Sequence, residues 1–462
     1  MVFLWLFLPV ILVIYYMAKN EYRNIILLLA SLFFYAWGEP KYIILMLITI
    51  TVNYFLGIMI DRTDRFKKIV LVTTIIIDVS LLFYFKYFNM FASIINRLIA
   101  MEKIELREIV LPIGISFYTF QVMSYIIDLY RGEIKVQKSW YKLALYISFF
   151  PQLIAGPIVK YKDVCKQIDY RICTYEKFSY GVRRFIYGLG KKVIISNAMA
   201  EIVDSILAMK FDYIGTTLSW CVALCYTMQI YFDFSGYSDM AIGLGKMFGF
   251  DFLENFNYPY ISCSIQEFWR RWHISLSTWF KEYLYIPLGG NRRGKLRTYI
   301  NLGIVFLVTG LWHGASYTFV IWGLWHGLFS ILERLFLKKW FDKNPIKIIN
   351  YLYTMLVVII GWIIFRADSF KQGLILIKNM FIYKENIGYG VLSYINIKDI
   401  IIFILALFVA IIIPKAAKKH ETVPGKETAA NYLQIVLCVI IMVYSIILLI
   451  GNTYNPFIYF RF

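Results

Sequence analysis

The chain is 462 residues long, 60% hydrophobic and only 17% charged. A soluble globular domain is nearer half apolar and a quarter charged, so this composition argues against an ordinary soluble protein. The net charge of +19 comes from lysines and arginines in short loops between apolar runs. This is the charge pattern of a membrane protein, and it argues against nucleic acid as a partner.

Apolar runs long enough to cross a hydrocarbon core of about 30 Å recur from end to end. They predict an all-α polytopic membrane protein with about 11–13 transmembrane or re-entrant helices, forming one domain over residues 1–462. The stretch Gly38–Pro40 is typical of a turn between two of the helices. In chain order the runs are 2–18, 24–37, 41–60, 69–88, 111–130, 141–158, 179–208, 214–232, 298–313, 316–336, 348–365, 398–414 and 430–450.

The positive-inside rule predicts that the basic loops face the cytoplasm. Two spans separate Lys19–Arg23 from loop 61–68, so both face the same side. The N-terminus and the C-terminus are then expected outside, with the protein in the plasma or inner membrane. The basic loops are 61–68, 159–171, 291–297, 338–347 and 415–427.

The cysteines do not predict a metal site. Cys221 and Cys225 lie four apart on a predicted membrane helix, and no histidine or carboxylate pattern completes a ligand set. We expect them to pack as small apolar side chains, and we expect no metal and no bound cofactor.

Polar side chains inside apolar runs are informative because burying them in hydrocarbon is costly. Gln229, Asp233 and Asp239 lie in an otherwise apolar, glycine-rich run. The two aspartates fit a cation site, and they also fit hydrogen bonds that join neighbouring helices.

The segment 264–290 is rich in tryptophan but is interrupted by charges. At helical spacing one face is shared by Phe268, Trp272, Ser275 and Trp279. We interpret the segment as an interfacial or re-entrant helix. His273, which lies within it, fits either a hydrogen-bonded structural residue or a residue of a site.

The five letters GLWHG occur at Gly310–Gly314 and again at Gly323–Gly327, and they contain two of the chain's four histidines. His313 is about 22 Å along a helix from the preceding basic loop, at a predicted helix end. His326 is in the middle of a span. On one continuous helix it would be rotated by about 220° from His313, so the two are not expected to share a face. Physical reasoning alone favours His313 only slightly.

The segment 229–327 contains four notable blocks, which are QIYFDFSGYSDMAIGLGKMFGF, ENFNYPYIS, EFWRRWHISLSTWFKEYLYIPLGGNR and TGLWHGASYTFVIWGLWHG. These blocks resemble the signature core of the membrane-bound O-acyltransferase family. They are most similar to its bacterial branch of alginate and peptidoglycan O-acetyltransferases. The similarity extends to LPIGISFYTFQVMSYIIDLYRG, to FFPQLIAGPIV and to the ending NPFIYFRF at 455–462.

The resemblance implies a ring of helices around a thin centre that a tunnel crosses. It also implies that His313 is catalytic, that His273 lines the path between the two membrane faces, and that His326 is a packing residue. The expected polar or structural residues of the tunnel are Gln229, Asp233, Asp239 and Trp312.

The implied chemistry is acyl transfer from a cytoplasmic donor, expected to be acetyl-CoA, to a cell-surface or secreted polysaccharide. The expected partner is a separate extracytoplasmic SGNH-type acetyltransferase. Tyr459, in the tail, is hypothesised to carry the acetyl group outward, and the alternative role of the tail is an aromatic anchor. The donor phosphates are expected at Arg292, Arg293, Lys295 and Arg297, or at Lys191 and Lys192.

Two other functions stay open at this point. One is D-alanyl transfer to teichoic acid, which related proteins perform. The other is a transporter or channel, which many spans and intramembrane polar residues also fit, although no inverted repeat relates the two halves of the chain.

Overall fold

The computed structural model describes residues 2–99, 103–153, 156–337, 341, 347–412 and 427–451, which form helices and turns with no strand in these ranges. The predicted all-α membrane class is confirmed. The α-helices are α1 Leu8–Met17, α2 Asn20–Gly38, α3 Tyr42–Arg62, α4 Lys67–Leu98, α5 Ile115–Arg131, α6 Trp140–Ser148, α7 Phe150–Leu153, α8 Tyr161–Asp169, α9 Tyr175–Gly190, α10 Asn197–Leu207, α11 Thr216–Met247, α12 Ile265–Arg271, α13 Ile274–Phe280, α14 Lys295–His313, α15 Tyr317–Leu332, α16 Lys347–Arg366, α17 Phe370–Phe381, α18 Ile397–Leu407 and α19 Glu427–Gly451.

Within the described part of the chain, 5 helical segments are long and apolar enough to cross a membrane. Each coincides with a predicted span, and the predicted turn at Gly38–Pro40 does separate α2 from α3. The expected total of spans and the central tunnel stay predictions. The segments are Tyr42–Arg62, Lys67–Leu98, Tyr317–Leu337, Lys347–Arg366 and Tyr432–Gly451.

The predicted span at 141–158 is not one continuous helix. Helix α6 ends at Ser148, and the four-residue helix α7 begins at Phe150. Pro151 explains the break, because proline lacks an N–H and its ring clashes with the preceding turn of a continuing helix. Gln152 Nε2 donates to the Tyr146 carbonyl oxygen at 2.6 Å, which satisfies a backbone acceptor near the break.

The chain divides into two compact units, and each is described by itself. The first unit takes the described residues of 1–182 and 241–253, and the second takes those of 183–240 and 254–462. The single-domain interpretation stays a prediction. The three histidines singled out by the sequence all belong to the second unit.

Polar side chains join the helices of the first unit. Asn53 Nδ2 donates to Asp78 Oδ1 at 2.9 Å, which links α3 to α4. The Tyr15 hydroxyl donates to the Phe248 carbonyl oxygen at 2.8 Å, and Arg171 Nε donates to the same oxygen at 3.0 Å. Each bond gives a buried polar group a protein partner, which a hydrocarbon environment requires.

In the second unit, the repeated GLWHG motif builds the contact between α14 and α15. Gly310 and Gly323 are the first residues of the two copies, and they face each other across this helical hairpin. A Cβ added to Gly323 would lie 3.1 Å from the Gly310 Cα, and it would also overlap the Phe306 carbonyl oxygen. Both neighbours are backbone atoms that cannot swing away, so only glycine permits this close approach.

This contact predicts that Gly323→Ala destabilises the protein, although alanine is the better helix former by about 1 kcal/mol. Overpacking against backbone typically costs about 1–3 kcal/mol. The measurement is the thermal unfolding midpoint of the purified protein in detergent. Gly303→Ala is the matched control on α14, because nothing lies within 4 Å of a Cβ added there. Equal midpoints for the two variants would contradict the account.

Candidate functional site

His313 is the last residue of α14, as the sequence predicted. Gly314 follows with an extended backbone at φ −178° and ψ 162°, so the helix stops at the imidazole. The His313 side chain is buried, with its ring centroid 4.9 Å from that of Trp322 and 5.1 Å from that of Phe365. Both contacts are edge-to-face, so aromatic rings fix the orientation of this imidazole.

Trp322 lies between the two histidines of the repeat. Its ring centroid is 4.9 Å from that of His313 and 5.2 Å from that of His326. The rotation argument for a continuous helix was wrong here, because the chain reverses after His313 and the second copy returns on α15. The two imidazoles therefore contact the same indole.

His326 is fully buried in the middle of α15. Its ring lies 5.2 Å from that of Trp269, and a Cβ on Gly361 would come within 2.7 Å of its Nε2 atom. Neither ring nitrogen of His326 has a hydrogen-bond partner among the described residues. These surroundings suit a packing residue, and that role stays a prediction.

The helix predicted over 264–290 is broken at His273. Helix α12 ends at Arg271 and α13 begins at Ile274, while His273 has a left-handed backbone with φ 44° and ψ 56°. The expected common face of Phe268, Trp272 and Trp279 therefore does not form on one continuous helix. A non-glycine residue in this conformation costs about 1–3 kcal/mol, so other groups must hold it.

Asn255 is a residue that the sequence reasoning missed. Its carbonyl oxygen accepts from the Ile274 N–H at 2.9 Å, and its Oδ1 accepts from the Ser275 N–H at 3.2 Å. The same Oδ1 lies 3.1 Å from His273 Nδ1. Asn255 is therefore hydrogen-bonded both to the backbone that follows the helix break and to the imidazole of His273 at that break. In the sequence, the polar residues of the stretch ENFNYP, residues 254–259, were the signal that could have pointed to Asn255.

Trp312 connects the two candidate histidines. Its ring centroid lies 5.9 Å from that of His273 and 4.9 Å from that of His313, and both histidines are buried. The fold thus brings together two imidazoles that are 40 positions apart in the chain. A buried neutral imidazole can take a proton from a hydroxyl or return one to a leaving group, which is general acid–base chemistry.

Glu333 is a second residue that the sequence reasoning missed. Its side chain is buried, and its two carboxylate oxygens accept from the Ile265 N–H at 2.5 Å and from the Gln266 N–H at 3.1 Å. These are N–H groups of the first turn of α12, which have no partner inside that helix. Glu333 therefore attaches the helix that leads to His273 to the end of the helix that carries His326.

The polar residues of α11 lie in ion pairs and helix contacts. Lys192 Nζ is 2.5 Å from Asp233 Oδ1, and Asp239 pairs with Lys191 at 2.6 Å and with Arg184 at 2.7 Å. The backbone carbonyl oxygen of Gln229 accepts from the Ser196 hydroxyl at 3.2 Å. These bonds favour helix joining over a cation site for the aspartates. Within the described residues, no cluster of three metal-ligating side chains occurs.

The expected donor-binding residues occupy two different settings. The side chains of Arg292, Arg293, Lys295 and Arg297 are exposed at the start of α14. Lys191 and Lys192 are instead paired with the two aspartates of α11. The exposed group is therefore the better candidate for an anionic ligand. Tyr459 and the whole 455–462 tail lie outside the described residues.

Comparison with known proteins finds three kinds of relative. A family model described as MBOAT, membrane-bound O-acyltransferase family, matches residues 29–377. The probable alginate O-acetylase AlgI of Pseudomonas putida is 40% identical, over 100% of this chain and 99% of that protein. The peptidoglycan O-acetyltransferase of Helicobacter pylori is 38% identical, over 82% of this chain and 78% of that protein. The teichoic acid D-alanyltransferase of Bacillus subtilis is 30% identical, over 56% of this chain and 70% of that protein.

Proposed function

The chain belongs to the membrane-bound O-acyltransferase family, and on that basis we propose that it moves acetyl groups from cytoplasmic acetyl-CoA toward a polysaccharide of the cell surface. It is membrane-bound and is an O-acyltransferase. We infer the acetyl group and the polysaccharide acceptor from the relatives that match most of this chain. These relatives are named for alginate and peptidoglycan O-acetylation. D-alanyl transfer is the weaker alternative, because that relative matches 56% of the chain. Family membership argues against a transporter without acyl chemistry.

The proposal depends above all on the position of His313. Its imidazole ends α14 between Trp322 and Phe365, with His273 on the other side of Trp312. Buried aromatic walls exclude water, which would otherwise compete with the acceptor for the acyl group. Two histidines next to one indole provide the proton acceptor and a second polar group in the same small region.

The proposed reaction is an acyl transfer with His313 as the general base. The acceptor hydroxyl oxygen attacks the thioester carbonyl carbon while its proton passes to the imidazole of His313. The carbon–sulfur bond then breaks, and the proton moves from the imidazole to the sulfur. The products are an acetyl ester and the free thiol of CoA, so atoms and charge balance.

The exposed basic residues at the start of α14 are the proposed contacts for the donor phosphates. Guanidinium and ammonium groups attract phosphate strongly. Within the described residues no carboxylate forms a salt bridge with these side chains, whereas Lys192 is paired with Asp233. From Lys295 to His313 the helix rises about 27 Å, at about 1.5 Å per residue. The donor would therefore lie along α14, with its phosphates at the basic end and its thioester at His313.

The proposed topology follows the charge distribution. The basic loops, among them 61–68 and 291–297, face the cytoplasm by the positive-inside rule. The N-terminus and the C-terminus are then outside. Helix α14 begins at a cytoplasmic loop, so His313 lies toward the outer side. This arrangement lets the donor approach from inside while the acceptor approaches from outside.

The proposed acceptor on this chain is the Tyr459 hydroxyl. A phenol has a pKa near 10 and needs a base to become a nucleophile, which His313 would supply. The acetylated tail would pass the group to an extracytoplasmic SGNH-type transferase, and that partner would choose the glycan. Such a relay explains how an acetyl group crosses while CoA stays inside.

We expect His313→Ala to abolish acetylation, because loss of a general base costs about 10²–10⁴-fold. The measurement is the O-acetyl content of the cell-surface polysaccharide at equal protein levels in the membrane. His326→Ala is the control in the second copy of the motif, and its effect should be much milder. An inactive His326→Ala protein beside an active His313→Ala protein would reverse the assignment.

Tyr459→Phe tests the relay, because it keeps the aromatic ring and removes only the hydroxyl. We expect polysaccharide acetylation to be lost while membrane insertion is normal. Tyr454→Phe is the matched control, since it removes a phenol from the same stretch of chain. Wild-type acetylation by Tyr459→Phe would exclude the relay and leave the tail as an aromatic anchor.

A further inference from the structure

We propose that Asn255 is a positioning residue that fixes the protonation of His273, so that Nδ1 carries the hydrogen and Nε2 presents a lone pair to the reacting groups. This inference rests on the proposed function for the role of His273. The placement of the hydrogen itself follows from the hydrogen bonds of the second unit.

The bonding around Asn255 determines which way its amide group points. The Ser275 backbone N–H is a donor only, and it lies 3.2 Å from Asn255 Oδ1. The Ser275 hydroxyl lies 2.9 Å from the same atom. The reversed amide would place its NH₂ group against a backbone N–H, which is a repulsive contact between two donors. Oδ1 is therefore the carbonyl oxygen of this side chain.

The amide orientation in turn determines the tautomer of His273. Asn255 Oδ1 lies 3.1 Å from His273 Nδ1. A carbonyl oxygen only accepts, so the nitrogen facing it must be the one that carries hydrogen. In a neutral imidazole the other nitrogen, Nε2, then has the lone pair. It can accept a proton or a hydrogen bond and cannot donate one.

The chosen orientation leaves a polar group unsatisfied. Asn255 Nδ2 is buried and has no hydrogen-bond partner within the described part of the chain. A buried N–H group without a hydrogen-bond partner is destabilising. The same residue still bonds the break at His273 and its imidazole, which is consistent with a residue kept for the position of the imidazole.

Nε2 is the atom that remains for chemistry. His273 is 1% exposed, and its Nε2 has no hydrogen-bond partner among the residues that the structure describes. The ring lies edge-to-face against Phe234 at 4.6 Å and faces Trp312 at 5.9 Å. Within the described residues, neither ring gives this nitrogen a hydrogen bond. A hydroxyl or thiol of the reacting molecules is the class of group that would satisfy it.

The direct test is nitrogen NMR of the full-length protein, labelled with ¹⁵N-histidine, in lipid bilayers. The signals of His273 are those that disappear in His273→Gln, and imidazole ¹⁵N shifts distinguish a protonated nitrogen from a bare one. We expect Nδ1 protonated and Nε2 bare. A protonated Nε2, with Nδ1 bare or also protonated, would overturn the proposal. This wild-type measurement needs no Asn255 variant to fold and assumes no acyl donor.

The variant test combines the same spectrum with the initial rate of thiol release from acetyl-CoA. Asn255→Leu removes the acceptor, and we expect the tautomers to mix and the rate to fall about 10–100-fold, as when other imidazole-orienting partners are lost. Asn255→Asp keeps an oxygen in the same place and should restore the Nδ1–H form and most of the rate. Asn257→Leu is the control, since Asn257 is exposed in the same loop.

Two outcomes would contradict the positioning role. One is an unchanged tautomer in Asn255→Leu, and the other is a rate equal to that of Asn257→Leu. Absence of thiol release from the wild-type protein, with the expected tautomer present, would instead reject the proposed donor and leave the assignment of the hydrogen intact.

Discussion

A polar side chain inside hydrocarbon has no water to bond, so the protein must supply its partners. Charged side chains of the second unit meet this requirement. Lys192 and Asp233 neutralise each other at 2.5 Å, and Glu333 binds the first N–H groups of α12. These contacts join helices. The imidazoles of His313 and His326 lie against aromatic rings, and His313 is the residue proposed for chemistry.

The close approach of α14 and α15 makes this arrangement possible. Glycines at equivalent positions of the two GLWHG copies let the helices touch, and Trp322 then reaches both His313 and His326. The repeat thus has a structural explanation that does not require both histidines to react. One copy ends a helix at its histidine, whereas the other lies within a helix, so the same letters occupy different environments.

The sequence predicted the features that depend on local composition. Apolar runs located the long helices, Gly314 marked the end of α14, the basic loops indicated a membrane protein, and the sequence motifs indicated the family. It did not predict the break at His273, because helical spacing on either side looked continuous and the groups that hold the break come from Asn255, outside the segment. It also missed Glu333, because a buried cap from another helix depends on tertiary packing that no local pattern contains.

The central claim is that His273 and His313 act as one site around Trp312. The direct measurement is a double-mutant cycle, in which thiol release from acetyl-CoA is compared among wild type, His273→Gln, His313→Gln and the double variant. Residues that act as a unit give non-additive losses, so the double variant should be no slower than the slower single variant. A loss equal to the product of the two single losses would show that the histidines act independently and would contradict the account.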